Sequence, residues 1–315
     1  MNSEQKTVVV ALGGNALQRD GETSVASQQQ VARETARQLI SLAREGHRIA
    51  IVHGNGPQVG SIYLNEQGAS QGISIPLDTC VGMSQGEIGY WLQQALQNEL
   101  TQQGSNRHVA TVVTQVVVDE NDQAFHDPTK PIGVFYDEKI AREMAATHGF
   151  VVKEDAGRGW RRVVPSPKPL DVVEKQIVID MLEAGHIVIT AGGGGVPVVK
   201  KGIELSGVEA VIDKDFSAEK LAELIDADIL LILTTVEAVS INYRQPGEQN
   251  LGAVSVEEMQ SYCDAGQFAP GSMLPKVQAA MMFAELGEAK RAIITSPTEA
   301  AAAVVGEKGT HIIAR

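Results

Sequence analysis

Hydrophobic positions in this chain follow a repeating order: a short β-branched run, a cluster of glycines, then a longer stretch with helical spacing. Residues 7–12 lead into Gly13-Gly14-Asn15, residues 48–52 into His53-Gly54-Asn55-Gly56-Pro57, and residues 186–190 into Ala191-Gly192-Gly193-Gly194-Gly195. Two more runs, 228–233 and 292–295, end in Thr234-Thr235-Val236 and Ser296-Pro297. Runs that are apolar at successive rather than alternate positions suit strands covered on both faces, which predicts a mainly parallel sheet. Between them, Ile88, Trp91, Leu92, Ala95 and Leu96 recur at i, i+3, i+4, i+7 and i+8, predicting a helix over 84–103. Ala32, Ala36, Leu39, Ile40 and Ala43 predict another that stops at Gly46, a residue suited to a helix C-terminus. Alternation over the whole length predicts an α/β fold: a three-layer αβα sandwich in one domain, 1–315, with two lobes at 1–185 and 186–315.

One stretch breaks the order. Residues 119–169 carry NDQAFHDPTKPIG and EDAGRGWRRVVPSPKP, rich in proline, glycine and charge. They read as a small protruding subdomain or as a long irregular surface loop, and the rarity of such loops favours the subdomain.

Composition narrows the partners. Lysine and arginine number 26 against 39 acidic residues, a formal charge of −13, and such a field repels polyanions, so nucleic acid is not expected. It leaves room for a small phosphate held by local donors. Cys80 and Cys263 lie far apart without a CxxC spacing, as expected of reduced thiols in a cytoplasmic protein. No apolar run reaches the length of a membrane span, and the opening residues MNSEQKTVVVALGG lack a signal-peptide core, so neither a membrane nor export is expected.

The glycine clusters fall where parallel sheets gather ligands, at the carboxyl ends of strands. Glycine lets main-chain N–H groups approach an anion, and a following helix N-terminus favours negative charge. One such pair would be only a tight turn; three in one sheet, two with asparagine, point to anion binding. Neither a G-x-x-x-x-G-K-[ST] nor a G-x-G-x-x-G is present, which disfavours a P-loop or dinucleotide-binding fold, and no residues have zinc-ligand spacing. His53, alone at a strand end, reads as structural. Lys214 stands between Asp213 and Asp215 in VIDKD. Lys276 follows Pro275 in GSMLPK at the expected start of a helix over 277–286. A cation there opposes the helix dipole unless an anion joins it, and a phosphate would meet that need. Each lysine could equally be an ordinary solvated one.

These motifs, in the order ALGGNAL, HGNGPQVG, PTKPIG, EDAGRGWRRVVPSPKP, AGGGGVPV, GVEAVIDKD and GSMLPK, resemble the carbamate kinases within the amino acid kinase family, over essentially the whole chain. PTKPIG and EDAGRGWRR resemble that branch in particular. Many members of the wider family carry a lysine in the first strand, where this chain has Val10-Ala11-Leu12. The resemblance implies that Lys130 of PTKPIG supplies the missing charge from the protruding subdomain. It further implies reversible phosphoryl transfer between carbamoyl phosphate and ADP, giving ATP and carbamate, with Mg2+ bound through the nucleotide phosphates and no protein metal ligand assigned. In that scheme Lys130, Lys214, Asp215 and Lys276 are catalytic. Gly13, Gly14, Asn15, Gly54, Asn55 and Gly56 bind the phosphoryl group and carbamate, so that 1–185 is the phosphoryl lobe. Asp213, Lys214, Tyr243, Met273 and Lys276 bind the nucleotide in the 186–315 lobe, although Tyr243 and Met273 also suit plain packing. Arg158, Arg161 and Arg162 guide anions or are a solvated patch. A cytoplasmic homodimer serving arginine or related catabolism is implied as well. The competing readings are a kinase of another small acid, such as acetylglutamate, and a catalytically silent nucleotide-binding regulator.

Overall fold

Residues 229–233 are apolar at every position, and in the structure, a computed structural model, they form one of the inner strands of an eight-stranded sheet. Residues 5–14, 17, 24–68, 75–155 and 157–315 are described. Across the sheet the strands run Ala253–Ser255, Thr310–Ile313, Arg291–Thr295, Ile229–Leu233, Thr7–Leu12, Arg48–His53, Ile187–Ile189 and Val109–Thr111. All neighbours are parallel except Arg291–Thr295 with Thr310–Ile313. The five runs marked by the sequence are all here.

Alternate residues of each inner strand enter opposite layers of core. Val9, Ala11, Ala50, Val52, Leu230 and Ile232 pack with Ala218, Leu221 and Phe283 on one face. Val8, Val10, Leu12, Ile49, Ile51, Leu231 and Leu233 pack with Leu39, Leu92 and Leu96 on the other. Both faces of the sheet are therefore covered by helices, which is why the middle positions of these strands are apolar. Val25–Arg44 forms the first helix, capped by the Ser24 hydroxyl and followed by Gly46 at φ +86°. The helix expected over 84–103 runs Leu77–Gln102, seven residues longer at its start. Its added turns are held by contacts invisible to local spacing, because Leu77, Cys80 and Val81 pack with Val59, Ile132 and Val164.

A second sheet orders Glu204–Gly207, Val196–Lys201, Gln115–Val118 and Pro169–Val172. In it Val118 pairs with Pro169, antiparallel, so the chain between them leaves and returns at adjacent points. That excursion holds Lys130–Tyr136, Trp160–Val164 and Val151–Glu154 as a three-stranded antiparallel sheet, with the Glu138–His148 helix against it. Its first strand lies on the Gly56–Gly68 helix. The approach is so close that a methyl group on Gly60 would stand 2.1 Å from the Gly133 Cα. Ile187–Ile189, from the second half of the chain, lies between Arg48–His53 and Val109–Thr111 from the first. No helix in the described residues is long and apolar enough to cross a membrane.

Candidate active site

The inner strands end together, and each next residue extends the ladder by one bond. The Gly13 N–H donates to the Leu233 carbonyl (3.2 Å), and the Gly54 N–H donates to the Leu12 carbonyl (3.1 Å). Those two donors are thus engaged by the sheet. The N–H groups of Gly14, Asn55 and Gly56 donate to no described residue. Gly56 opens a helix, where the first N–H groups lack an intrahelical acceptor. Asn15 lies outside the described residues.

Behind these turns sits the loop 191–195. Ala191 takes a left-handed conformation at φ +47°, with its N–H held by the Thr114 hydroxyl at 3.0 Å. The glycines are small because neighbours leave no room. A methyl group on Gly193 would lie 2.0 Å from the Asn55 amide, and one on Gly194 would lie 2.2 Å from the Ile212 carbonyl oxygen. The Gly194 carbonyl accepts from the Ser217 hydroxyl at 2.7 Å, tying the loop to the Lys214–Leu224 helix. Local sequence offered no signal for Ser84, Gln85 and Thr114, which brace this corner. Asn55 donates to the Ser84 hydroxyl at 2.9 Å, and Gln85 exchanges hydrogen bonds with the Thr114 backbone at 2.8 and 3.1 Å. Ser84 and Gln85 project from the inner face of a helix that the sequence predicts only by its apolar residues.

Three lysines from separate parts of the chain meet at two aspartates. Asp213 caps the helix Lys214–Leu224, accepting from the Asp215 N–H at 2.9 Å. Lys214 Nζ donates to Asp215 Oδ1 at 2.5 Å, and Lys276 Nζ donates to Asp215 Oδ2 at 3.1 Å. Lys130, at the start of its strand in the protruding subdomain, pairs with Asp213. Side-chain exposure rises from 3% at Asp215 and 10% at Lys214 to 27% at Lys130, so solvent enters from the subdomain side. Burial alone would raise the Asp215 pKa, but Lys214 and Lys276 outweigh it and hold the carboxyl well below the usual range. Burial lowers the Lys214 pKa against the pull of Asp215. Lys276 goes the other way, because Asp215 and Asp213 more than offset its burial. Asp213, partly buried, is also shifted down, because Lys130 outweighs the effect of burial. Three ammonium groups against two carboxylates leave one formal positive charge in a protein that is acidic overall.

The helix bearing Lys276 is Met273–Ala284, beginning four residues before the expected start. Lys276 still lies in the first turns, and Asp215 supplies the negative charge that its position requires. Met273 is half-buried at the head of this helix, packed on the main core. Tyr243 is half-exposed in a loop with the Arg244 guanidinium 5.2 Å from its ring, and no hydrogen bond or ion pair joins it to the lysine cluster. The arginines of the subdomain have structural partners. Arg161 donates to the Gly133 carbonyl at 2.8 Å and pairs with Asp155, and Arg162 lies 4.2 and 4.1 Å from the Tyr63 and Phe150 ring centres. Arg158 is the exposed one, pairing with Asp155 beside the Phe135 ring. Among the described residues no three His, Cys, Asp or Glu side chains converge as a metal site.

Comparison with known proteins places this geometry. The profile of the Amino acid kinase family matches residues 6–296. Carbamate kinase 1 of Enterococcus faecium is 55% identical over 293 residues, spanning 92% of this chain and 93% of that one. Carbamate kinase of Clostridium perfringens is 50% identical, spanning 97% and 99%. Carbamate kinase from Giardia lamblia bound to AMP-PNP superimposes with a TM-score of 0.90 at 42% identity, covering 99% of both chains.

Proposed function

The chain belongs to the amino acid kinase family, and from that premise we propose that it is a carbamate kinase, transferring a phosphoryl group between carbamoyl phosphate and ADP. The observation that carries the site assignment is the convergence of Lys130, Lys214 and Lys276 on Asp213 and Asp215 at the carboxyl edge of the sheet.

Phosphoryl transfer asks a protein mainly for alignment and for neutralisation of charge spread over the equatorial oxygens. Lys214 and Lys276 share one carboxylate, which holds their ammonium groups side by side and suits them to the terminal phosphates and the transferred group. Lys130 approaches from the subdomain, the side from which carbamoyl phosphate would enter. The N–H groups of Gly14, Asn55 and Gly56, which donate to no described residue, would face the phosphoryl oxygens and the carbamate. Carbamate already presents an anionic oxygen, so no general base is needed. A Mg2+ ion held by the nucleotide phosphates would supply further charge neutralisation. The nucleotide would lie along the second lobe by the Lys276 helix, with Met273 beside it. Tyr243, exposed and turned to Arg244, is the weaker candidate for a base contact. We also take the enzyme to be a cytoplasmic homodimer.

Carbamoyl phosphate with ADP should yield ATP in a luciferase assay, and omission of Mg2+ should abolish it. Lys130→Ala should lower kcat by about 10²–10³, the effect of removing one preorganised donor or charge, while calorimetric ADP binding stays within about twofold. Retained turnover would remove Lys130 from the chemistry. Acetylglutamate turning over faster than carbamate would favour another acid kinase, and ADP binding without any turnover would favour a silent regulator.

A further inference from the structure

His53 ends the strand Arg48–His53 and is fully buried. Its Nδ1 lies 2.9 Å from the Gly54 carbonyl oxygen. A carbonyl only accepts, so Nδ1 carries the proton and the ring is held in one tautomer. Nε2 is buried without a hydrogen-bond partner among the described residues, pressed against Gly192 so tightly that a methyl group there would stand 2.3 Å from it. A buried acceptor without a donor is costly, and an apolar side chain of similar size would fill the space without that cost. The ring therefore does something that filling does not.

Its hydrogen bond fixes a peptide plane. Gly54 has no side chain to orient its backbone, and on one side its N–H is tied to Leu12. On the other side its carbonyl belongs to the Gly54–Asn55 peptide. Every described peptide is trans, so the Asn55 N–H points opposite to that carbonyl, away from the ring. Gly54 faces the site directly: a methyl group on it would lie 3.4 Å from Lys214 Cδ. The Asn55 N–H itself donates to no described residue.

We propose that His53 is a positioning residue, whose Nδ1–H turns the Gly54–Asn55 peptide so that the Asn55 N–H is aimed at the transferred phosphoryl group. The role rests on the phosphoryl-transfer function above. Burial lowers the His53 pKa to about 4, which keeps the ring neutral at neutral pH, and the Gly54 carbonyl fixes its tautomer. The Asn55 side chain, locked to Ser84 and seated against Gly193, holds the far end of the same peptide, so both ends are constrained before any ligand arrives.

Three variants separate positioning from packing. His53→Asn keeps an N–H donor where Nδ1 stands. His53→Gln keeps most of the ring's volume but carries its amide beyond that point. His53→Leu removes all polarity. ATP formation from carbamoyl phosphate and ADP should fall about 10²–10³-fold in kcat for Leu and Gln, the scale seen when one preorganised donor is lost. It should fall less than about fivefold for Asn, and the KM for ADP should stay within about twofold throughout. Should the Leu variant fail to fold, the contrast between Gln and Asn decides. Equal losses in Asn and Gln, or full activity in Gln, would overturn the proposal and leave the kinase function standing. A wild-type protein that makes no ATP would instead sink the kinase function. The Asn55 amide resonance, in protein labelled at asparagine with 15N, then tests positioning alone on titration with inorganic phosphate. A phosphate-induced shift in the wild type that is lost in His53→Gln supports the proposal, and anything else overturns it.

Discussion

At the scale of single residues, two buried carboxylates on the Lys214–Leu224 helix differ in whether neighbouring charge matches them. Asp215 is almost as buried as any side chain in the molecule, yet two ammonium groups occupy its two oxygens. Replacing it removes the anchor from Lys214 and Lys276 together, so Asp215→Asn should cost more in kcat than either lysine's own packing would suggest. Glu219, one turn further along the same helix, is equally buried, and its Oε2 has no hydrogen-bond partner among the described residues. Burial raises its pKa from 4.5 to about 7. The folded protein then holds a proton that the unfolded chain releases above pH 4.5. Stability is lost as pH rises from 4.5 to 7, and the penalty persists above that window. Glu219→Gln removes the penalty. It should add about 3 kcal/mol at pH 8, a Tm rise of several degrees by calorimetry, and almost nothing at pH 4.5. A gain of equal size at both pH values would mean that the carboxylate charge is not the cause.

At the scale of elements, the contact between the Gly56–Gly68 helix and the Lys130–Tyr136 strand decides where Lys130 stands. Gly60 and Gly133 meet backbone to backbone, and Gly133 sits at φ +72°, where a side chain would be strained. Only Pro131 and Ile132 separate Lys130 from this contact. Gly60→Ala would push the strand outward, and overpacking of this kind typically costs about 1–3 kcal/mol. Because Lys130 travels with the strand, kcat with carbamoyl phosphate should fall at least about tenfold while the far-UV circular dichroism is unchanged. Undiminished turnover would show that the subdomain carries Lys130 independently of this contact. The arginines of EDAGRGWRR belong to this scale too. Arg161 and Arg162 stitch the three-stranded sheet together and onto Tyr63, so their density in the sequence reflects assembly of the subdomain more than capture of anions.

At the scale of the whole molecule, the two halves of the chain share one sheet. Thr7–Leu12 has Ile229–Leu233 along one edge and Arg48–His53 along the other, and Ile187–Ile189 fills the gap between strands of the first half. A fragment of residues 1–185 would lack both inserted strands, exposing the edges of its most apolar ones. Produced alone, it should be aggregated or unfolded by analytical ultracentrifugation and circular dichroism. A folded, soluble fragment would mean that the lobes are separate folding units. The same interleaving brings Lys130, Lys214 and Lys276 together, although 62 residues separate the last pair and 84 the first.

The sequence by itself determined the layers, because a strand buried on both faces must be apolar at every position, and a helix on its surface must repeat its apolar face every three to four residues. Residues 8–12 and 229–233 meet the first condition, and Ile88, Trp91, Leu92, Ala95 and Leu96 the second. Glycine clusters and the lysines of VIDKD and GSMLPK were legible for a similar reason: their residue types carry the chemistry wherever the fold puts them. Only the tertiary structure decided how they are used. Whether the Gly13 N–H is free depends on Leu233, and whether Gly60 must be glycine depends on Gly133. What balances Lys276 depends on Asp215, and no local pattern encodes a contact between segments so far apart. His53 belongs to that second class. Its residue type gave no sign of a role, and its hydrogen bond to the very next residue acquires one only where the sheet sets the Gly54–Asn55 peptide beside Lys214.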